Sequence, residues 1–201
     1  MVRLAHFSDI HLTTPRLGWR VRDTFSKRTS GWVNSRLLGR GTRFRHANDV
    51  AAALRREFGT HRFDRLVFSG DASALGYPSE MREAADRLGV GSPGLPPGLA
   101  VPGNHDCYVR HSIRARFFED AFGPWQHGHR ATDDVYPFAQ KVGHVWLIAL
   151  NSAKPTFLFW DAAGHIGAAQ LARLRALCAS LDSGPRIVVS HYPLLMEGHR
   201  V

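Results

Sequence analysis

Short apolar runs and longer stretches of helical period alternate along most of this chain, and the two periods divide it into strands and helices. Val2–Ser8 reads as a first strand, and Arg65–Ser69, Leu99–Val101 and Arg186–Ser190 read as three more. Val135–Lys141 and His144–Leu150, joined at Gly143, predict a hairpin. Ala47, Val50, Ala51, Leu54 and Phe58 fall at helical spacing, with Gly59 placed as a left-handed cap. Met81, Ala84, Ala85 and Leu88 make a second apolar stripe, opened by Pro78 and closed by Gly89. Further helices are expected near Ser112–Phe122 and through Ile166, Leu171, Leu174, Leu177 and Leu181 to Gly184. From Thr13 to Arg45 no period is sustained, and only a short helix around Trp32–Leu38 is expected. Strand, helix and strand up to Ser69 predict a right-handed parallel crossover, hence an α/β class.

A chain of 201 residues suits a single domain, residues 1–201, with an insert at 13–45. Such a chain buries about 70% of its unfolded surface without covalent staples. Cys107 and Cys178 do not make a disulfide framework, and the first ten residues carry strand pattern with no signal core. The longest apolar run, Val142–Leu150, is broken by Gly143 and His144 and falls well short of the ~20 residues that span a bilayer. A soluble protein of a reducing, cytoplasmic compartment is expected. The net charge of +9 is unevenly spread. Arg16, Arg20, Arg22, Lys27, Arg28, Arg36, Arg40, Arg43 and Arg45 face one acid, Asp23, so this stretch carries +8 and the remainder is nearly neutral. That excludes a protein basic all over, such as a nucleic-acid coat, and points to one cationic element.

The chemistry sits where the strands give out. Asp9-Ile10-His11 follows the first strand, Gly70-Asp71 the second, Gly103-Asn104-His105-Asp106 the third and His191 the last. Carboxylate, imidazole and amide oxygen are ligands of borderline and hard divalent ions, and strand ends in an α/β sheet converge on one crevice. Each block alone has a plainer reading: Asp71 would cap a helix, Asn104 and His105 would make a turn, and His191 would satisfy backbone groups. Their order and company favour a metal site. The remaining histidines default to core or surface, Cys107 has no activating motif, and Phe157, Phe159 and Trp160 read as core or pocket border.

At these residues the chain resembles the calcineurin-like metallophosphoesterases, whose signature runs Asp-x-His, Gly-Asp, Gly-Asn-His-Asp or Glu, His, and Gly-His-x-His. Four of the five blocks are present in order; the fifth is not completed, since Gly198-His199 is followed by Arg200-Val201. The resemblance implies two packed, mixed β-sheets flanked by helices, a four-layer sandwich incomplete at its C-terminal end. It implies Asp9 and His11 on one divalent ion, Asn104 and His191 on a second, and Asp71 bridging, with the ions being Mn²⁺, Fe²⁺/Fe³⁺ or Zn²⁺. Without the fifth block each ion is expected to lack one imidazole, weakening metal binding and activity. The implied reaction is hydrolysis of a phosphomonoester, phosphodiester or pyrophosphate by a hydroxide held between the ions. His105 resembles the family's proton donor, with Asp106 oriented to hold it. The implied partner is a small phosphate ester or a nucleotide or lipid phosphate.

The basic insert keeps three readings: a solvated arm, a clamp in which Arg20, Arg22 and Arg28 hold an anionic substrate, or a contact with anionic membrane through arginines and tryptophans. A different class of function also remains, a non-catalytic module using the arm for nucleic acid or membrane. Nucleic acid is not the expected partner, because a pure scaffold has no physical need for His105 and Asp106.

Overall fold

The structure, a computed structural model, describes residues 1–14, 18–19, 21–36, 44–155 and 164–193. Strands β1 (Leu4–Phe7), β2 (Arg65–Phe68) and β3 (Gly98–Ala100) form one sheet in that order, and both pairings are parallel. The second sheet is β4 (Phe138–Val142), β5 (Val145–Ala149) and β6 (Arg186–Val189). In it β4 is antiparallel and β6 parallel to β5. The expectation of two mixed sheets thus holds only for the second. Phe7 pairs with Phe68 and Phe68 with Ala100, so the three parallel strands stop in one row. Every block of the first three lies just beyond that row.

Alternation along β2 and β3 separates two cores. Leu66, Phe68 and Ala100 face α2 (Ala47–Thr60), α3 (Pro78–Leu88) and α5 (Phe117–Ala121), together with Phe122 and Trp125. Val67 and Leu99 face the other way, onto Phe138, Leu147, Ala149 and Val189 of the second sheet. The far face of that sheet packs Ala139 and Ile148 against Leu177 of α6 (Ala168–Ser180) and Leu181. The layers are helix, sheet, sheet, helix. No helix among the described residues is long and apolar enough to cross a membrane.

Three expected elements differ from those observed. Helix α2 runs through Gly59 to Thr60, and the extended residue His61 ends it by donating its N–H to the Glu57 carbonyl. The expected helix at 112–122 is two, α4 (Arg110–Arg114) and α5, broken at Arg116 with φ 51°. The break lets Ser112 donate to the Gly76 carbonyl while Phe118 and Phe122 stack on Phe68. Within 13–45 the chain forms a 3₁₀ turn at Val21–Phe25 and α1 (Lys27–Arg36), earlier and longer than the helix expected at 32–38.

Helix α3 begins and ends as its sequence predicts, with Pro78 in its first turn and Gly89 left-handed at φ 72°. Its Glu80 is fully buried and one carboxylate oxygen accepts the N–H groups of Leu75 and Tyr77, tying down the loop that precedes the helix. Burial pushes the Glu80 carboxyl up to about 7, against the pull of those backbone donors. A carboxyl raised this way contributes its stability below the ordinary value of 4.5 and loses it as pH rises through about 7. Glu80→Gln, neutral throughout, should therefore gain on the parent between mildly acidic and mildly alkaline pH, by on the order of 2–3 kcal/mol in denaturant unfolding. A difference that does not change with pH would mean that Glu80 titrates as an ordinary carboxyl.

Candidate metal centre

The loop after β1 lies along the loop after β2: Asp9 N–H donates to Gly70 O at 2.9 Å, His11 N–H to Asp71 O at 3.0 Å and Leu12 N–H to Ala72 O at 2.8 Å. Asp9, His11 and Asp71 have φ of 59°, 51° and 62°. Among the described residues only Arg116 shares this left-handed conformation without being glycine. Two-residue alternation therefore does not aim Asp9 and His11, as an extended strand end would; a strained turn does. Such residues cost about 1–3 kcal/mol each and persist where the surroundings over-determine them.

The surroundings are a close approach and a carboxylate. A Cβ on Gly70 would strike the Gly103 backbone, and a Cβ on Gly103 would strike the Asp71 side chain, so the two loops touch backbone to backbone. Asp106, 1% exposed, accepts the N–H groups of Asp71 (2.8 Å), Ala72 (3.2 Å), Ser73 (3.0 Å) and Gly103 (3.0 Å), and the Ser73 hydroxyl (2.9 Å). Asp106 thus differs from its expected role. The His105 ring nitrogen Nδ1 lies 2.7 Å from the Ala74 carbonyl, and that carbonyl holds the ring while Asp106 holds the loops.

Asp71, 2% exposed, stands at the middle. Its Oδ1 accepts the His105 N–H at 2.8 Å, and its Oδ2 lies 3.6 Å from His11 Nε2 and 3.7 Å from His191 Nε2. His11 Nε2 is also 3.5 Å from Asp9 Oδ1, and His191 Nε2 is 3.1 Å from Asn104 Oδ1. His191 Nδ1 faces the Ser69 carbonyl at 2.8 Å. A carbonyl only accepts, so the hydrogen-bond network assigns the Nδ1 proton on both His191 and His105. With Nδ1 turned to Ser69, His191 presents Nε2 to Asn104 Oδ1 and Asp71 Oδ2. Around Asp71 the ligand atoms of His11 and His105 lie within 4.8 Å of one another and of its carboxylate, and so do those of Asp9 and His191.

Carboxylates and imidazoles gathered this closely are the donor set of a divalent cation. The 3.5–3.7 Å spacings are too long for hydrogen bonds and close to the ~3.0–3.5 Å that separates two ligands sharing one ion at about 2.1 Å. Among the described residues, the buried His11 Nδ1 has no hydrogen-bond partner. The His11 imidazole, working against partial burial and helped by Ser8 and His191, holds the Asp9 carboxyl down at about 2, ionised and ready to ligate. Nitrogen and carboxylate donors without thiolate suit Mn²⁺, iron or Zn²⁺. Cys107 is buried, and burial raises its thiol well above the ordinary value, which leaves it inert.

Asp9, His11, Asp71, Asn104, His105 and His191 are brought together, as their spacing predicts. Arg28 is not with them: it is 3% exposed and bonded to Asp23, Leu75, Gly76 and Ser112, so it offers no substrate contact. Arg20, the Arg22 side chain, Phe157, Phe159, Trp160 and Gly198-His199 lie outside the described residues. Sequence reading passed over the Ser69 and Ala74 carbonyls, which have no side-chain signal, and Phe44, whose ring sits 4.5 Å from that of His11. Phe44 brings the end of the insert against His11.

Replacing Asp106 by Ala should leave four buried N–H groups without their acceptor and destabilise the protein by about 3–5 kcal/mol in denaturant unfolding. Asp106→Asn, which keeps one acceptor oxygen, should cost less. Equal and small losses would show that the carboxylate does not hold the loops.

No curated protein matches the chain. The family model of the calcineurin-like phosphoesterases matches residues 2–200, which takes in both sheets and every strand-end block. That match spans nearly the whole chain, and the chain belongs to the calcineurin-like phosphoesterase family, the metal-dependent hydrolases of phosphoesters.

Proposed function

We propose that this protein hydrolyses a phosphomonoester, phosphodiester or pyrophosphate at a centre of two divalent cations. Asp9 and His11 serve one cation, Asn104 and His191 the other, and Asp71 both. The observation that carries this reading is the position of Asp71, whose Oδ2 is flanked by two imidazoles at nearly equal distance, 3.6 and 3.7 Å, each with its own second oxygen partner. Cations so held would supply Lewis-acid polarisation of the phosphoryl group and a nucleophilic water at neutral pH.

The side chains divide the remaining work. Asp9 and Asp71 bring negative charge that offsets the cations, and the Ser69 carbonyl fixes the His191 tautomer so that Nε2 is its ligand atom. His105 is the proton donor to the leaving oxygen. Its Nδ1–H is committed to Ala74 O, so Nε2 is the nitrogen that takes up and delivers the proton, and its ring packs edge-on to His11 at 4.6 Å. Phe44 over His11 shields that side from water. The substrate class that suits this centre is a small phosphate ester or a nucleotide or lipid phosphate.

Proximity alone would also admit His105 as a ligand beside His11 and Asp71. His105→Ala decides between the roles: turnover of nitrophenyl-type and alkyl phosphoesters should fall, the latter by roughly 10²–10⁴, with bound metal per chain unchanged. Metal lost together with activity would make His105 a ligand and remove it as the acid.

A further inference from the structure

Arg28 lies in the most basic stretch of the chain and is nevertheless sealed from solvent. Its Nη1 donates to Asp23 Oδ1 at 2.8 Å, Nε to Leu75 O at 3.1 Å, and Nη2 to Gly76 O and to Ser112 Oγ at 3.1 Å. The guanidinium also lies 3.9 Å from the Tyr77 ring centre. Its donors are thus spent on one loop, 75–77, and on the Asp23 and Ser112 that brace it. Three residues further along α1, on the same helix face, Gly31 meets the same surface. A Cβ there would run into the Tyr108 hydroxyl and come within 2.9 Å of Leu75 Cδ2. At Arg28 and Gly31 helix α1 is packed directly on this loop.

What it is seated on holds His105. The Ala74 carbonyl, one residue before the first carbonyl that Arg28 grips, takes the His105 Nδ1 proton, and the Tyr108 ring stands 5.3 Å from the His105 ring. Gly76, left-handed at φ 71°, presses so closely on this segment that a Cβ would lie 2.9 Å from the His105 carbonyl and 2.8 Å from Tyr108 Cβ. A displacement of the 74–76 loop would therefore reach the imidazole directly. The ligand-bearing loops are held by Asp106, and Ser73 joins them to this loop, its hydroxyl accepting the Gly76 N–H and donating to Asp106.

We propose that Arg28, with Gly31, is a positioning residue for His105: by clamping the Leu75 and Gly76 carbonyls, α1 fixes the Ala74 carbonyl that keeps the proton on Nδ1 and leaves Nε2 to face the substrate. The proposal rests on the reading of His105 as proton donor. A misplacement of about 1 Å in such a group is enough to cost on the order of 10²-fold. The basic insert is on this account a structural part of the active site, tied to it through Arg28, whatever its other arginines bind.

The test uses Arg28→Ala and Gly31→Ala, the second of which keeps the Arg28–Asp23 pair and serves if the first does not fold. Two readouts are needed. Nitrogen-resolved NMR of the metal-free protein should show the His105 Nδ1–H tautomer in the parent and a mixture in both variants. In kinetics with manganese, esters with alkyl leaving groups, which need an acid, should slow by about 10- to 100-fold, while nitrophenyl esters change by less than about threefold. Metal content should stay as in the parent. Arg28→Lys, which cannot span the same carbonyls and carboxylate at once, should restore little. An unchanged tautomer with unchanged leaving-group dependence would overturn the proposal, and so would equal loss on both ester types with loss of metal. Should His105→Ala itself lack leaving-group dependence, the reading of His105 as the acid fails, and the tautomer spectrum alone decides what Arg28 does.

Discussion

Asp106 spends one carboxylate on the backbone of two loops, the one after β2 and the one after β3, and everything at the centre depends on that convergence. Parallel strands that stop in one row only bring loop beginnings together. Something must then hold the loops close enough for a carboxylate on one to meet an amide and imidazoles on others. Gly70 and Gly103 allow the contact because neither has a Cβ, and Asp106 stabilises it with charge-assisted hydrogen bonds inside a dry environment. Asp9, His11 and Asp71 can then be held in a left-handed backbone that isolated residues of their type would rarely adopt.

The second dependence runs through the opposite side of the centre. Glu80 gathers the N–H groups of Leu75 and Tyr77, Arg28 gathers the carbonyls of Leu75 and Gly76, and Ser112 adds a hydroxyl to Gly76. This loop has almost no regular structure, yet its polar backbone is answered by buried charged side chains from α1 and α3 and by a serine of α4. The ordering cost of an irregular loop is met by these contacts, and the rigidity is delivered to His105 through the Ala74 carbonyl.

The strand-end blocks could be read in the sequence because their chemistry lies in side chains whose types are distinctive and whose strands are marked by apolar runs. The strands and helices followed from the same runs, the layers from the family resemblance, and Pro78 and Gly89 marked α3 correctly. What the sequence hid lies in the backbone or in context. Asp106 beside His105 reads as a pair of neighbours acting on each other, whereas its oxygens face the N–H groups of residues some thirty positions earlier. Arg28 among eight other cations carries no mark that it is buried. Gly31 looks like a helix breaker and is a contact point for Tyr108, and Gly59, which looks like a cap, is an ordinary helical residue. The break at Arg116 follows from two competing anchors, Ser112 on Gly76 and Phe118 with Phe122 on Phe68, that no local pattern could announce.

The central proposal is that Asp71 stands between two cation sites, with His11 Nε2 and His191 Nε2 at 3.6 and 3.7 Å from its Oδ2. A crystal soaked in Mn²⁺ and measured at the manganese absorption edge tests this most directly. The account predicts two anomalous peaks roughly 3.5–4 Å apart, with Asp71 within bonding distance of both, Asp9 and His11 on one, and Asn104 and His191 on the other. A single peak, or peaks that do not share Asp71, would contradict it.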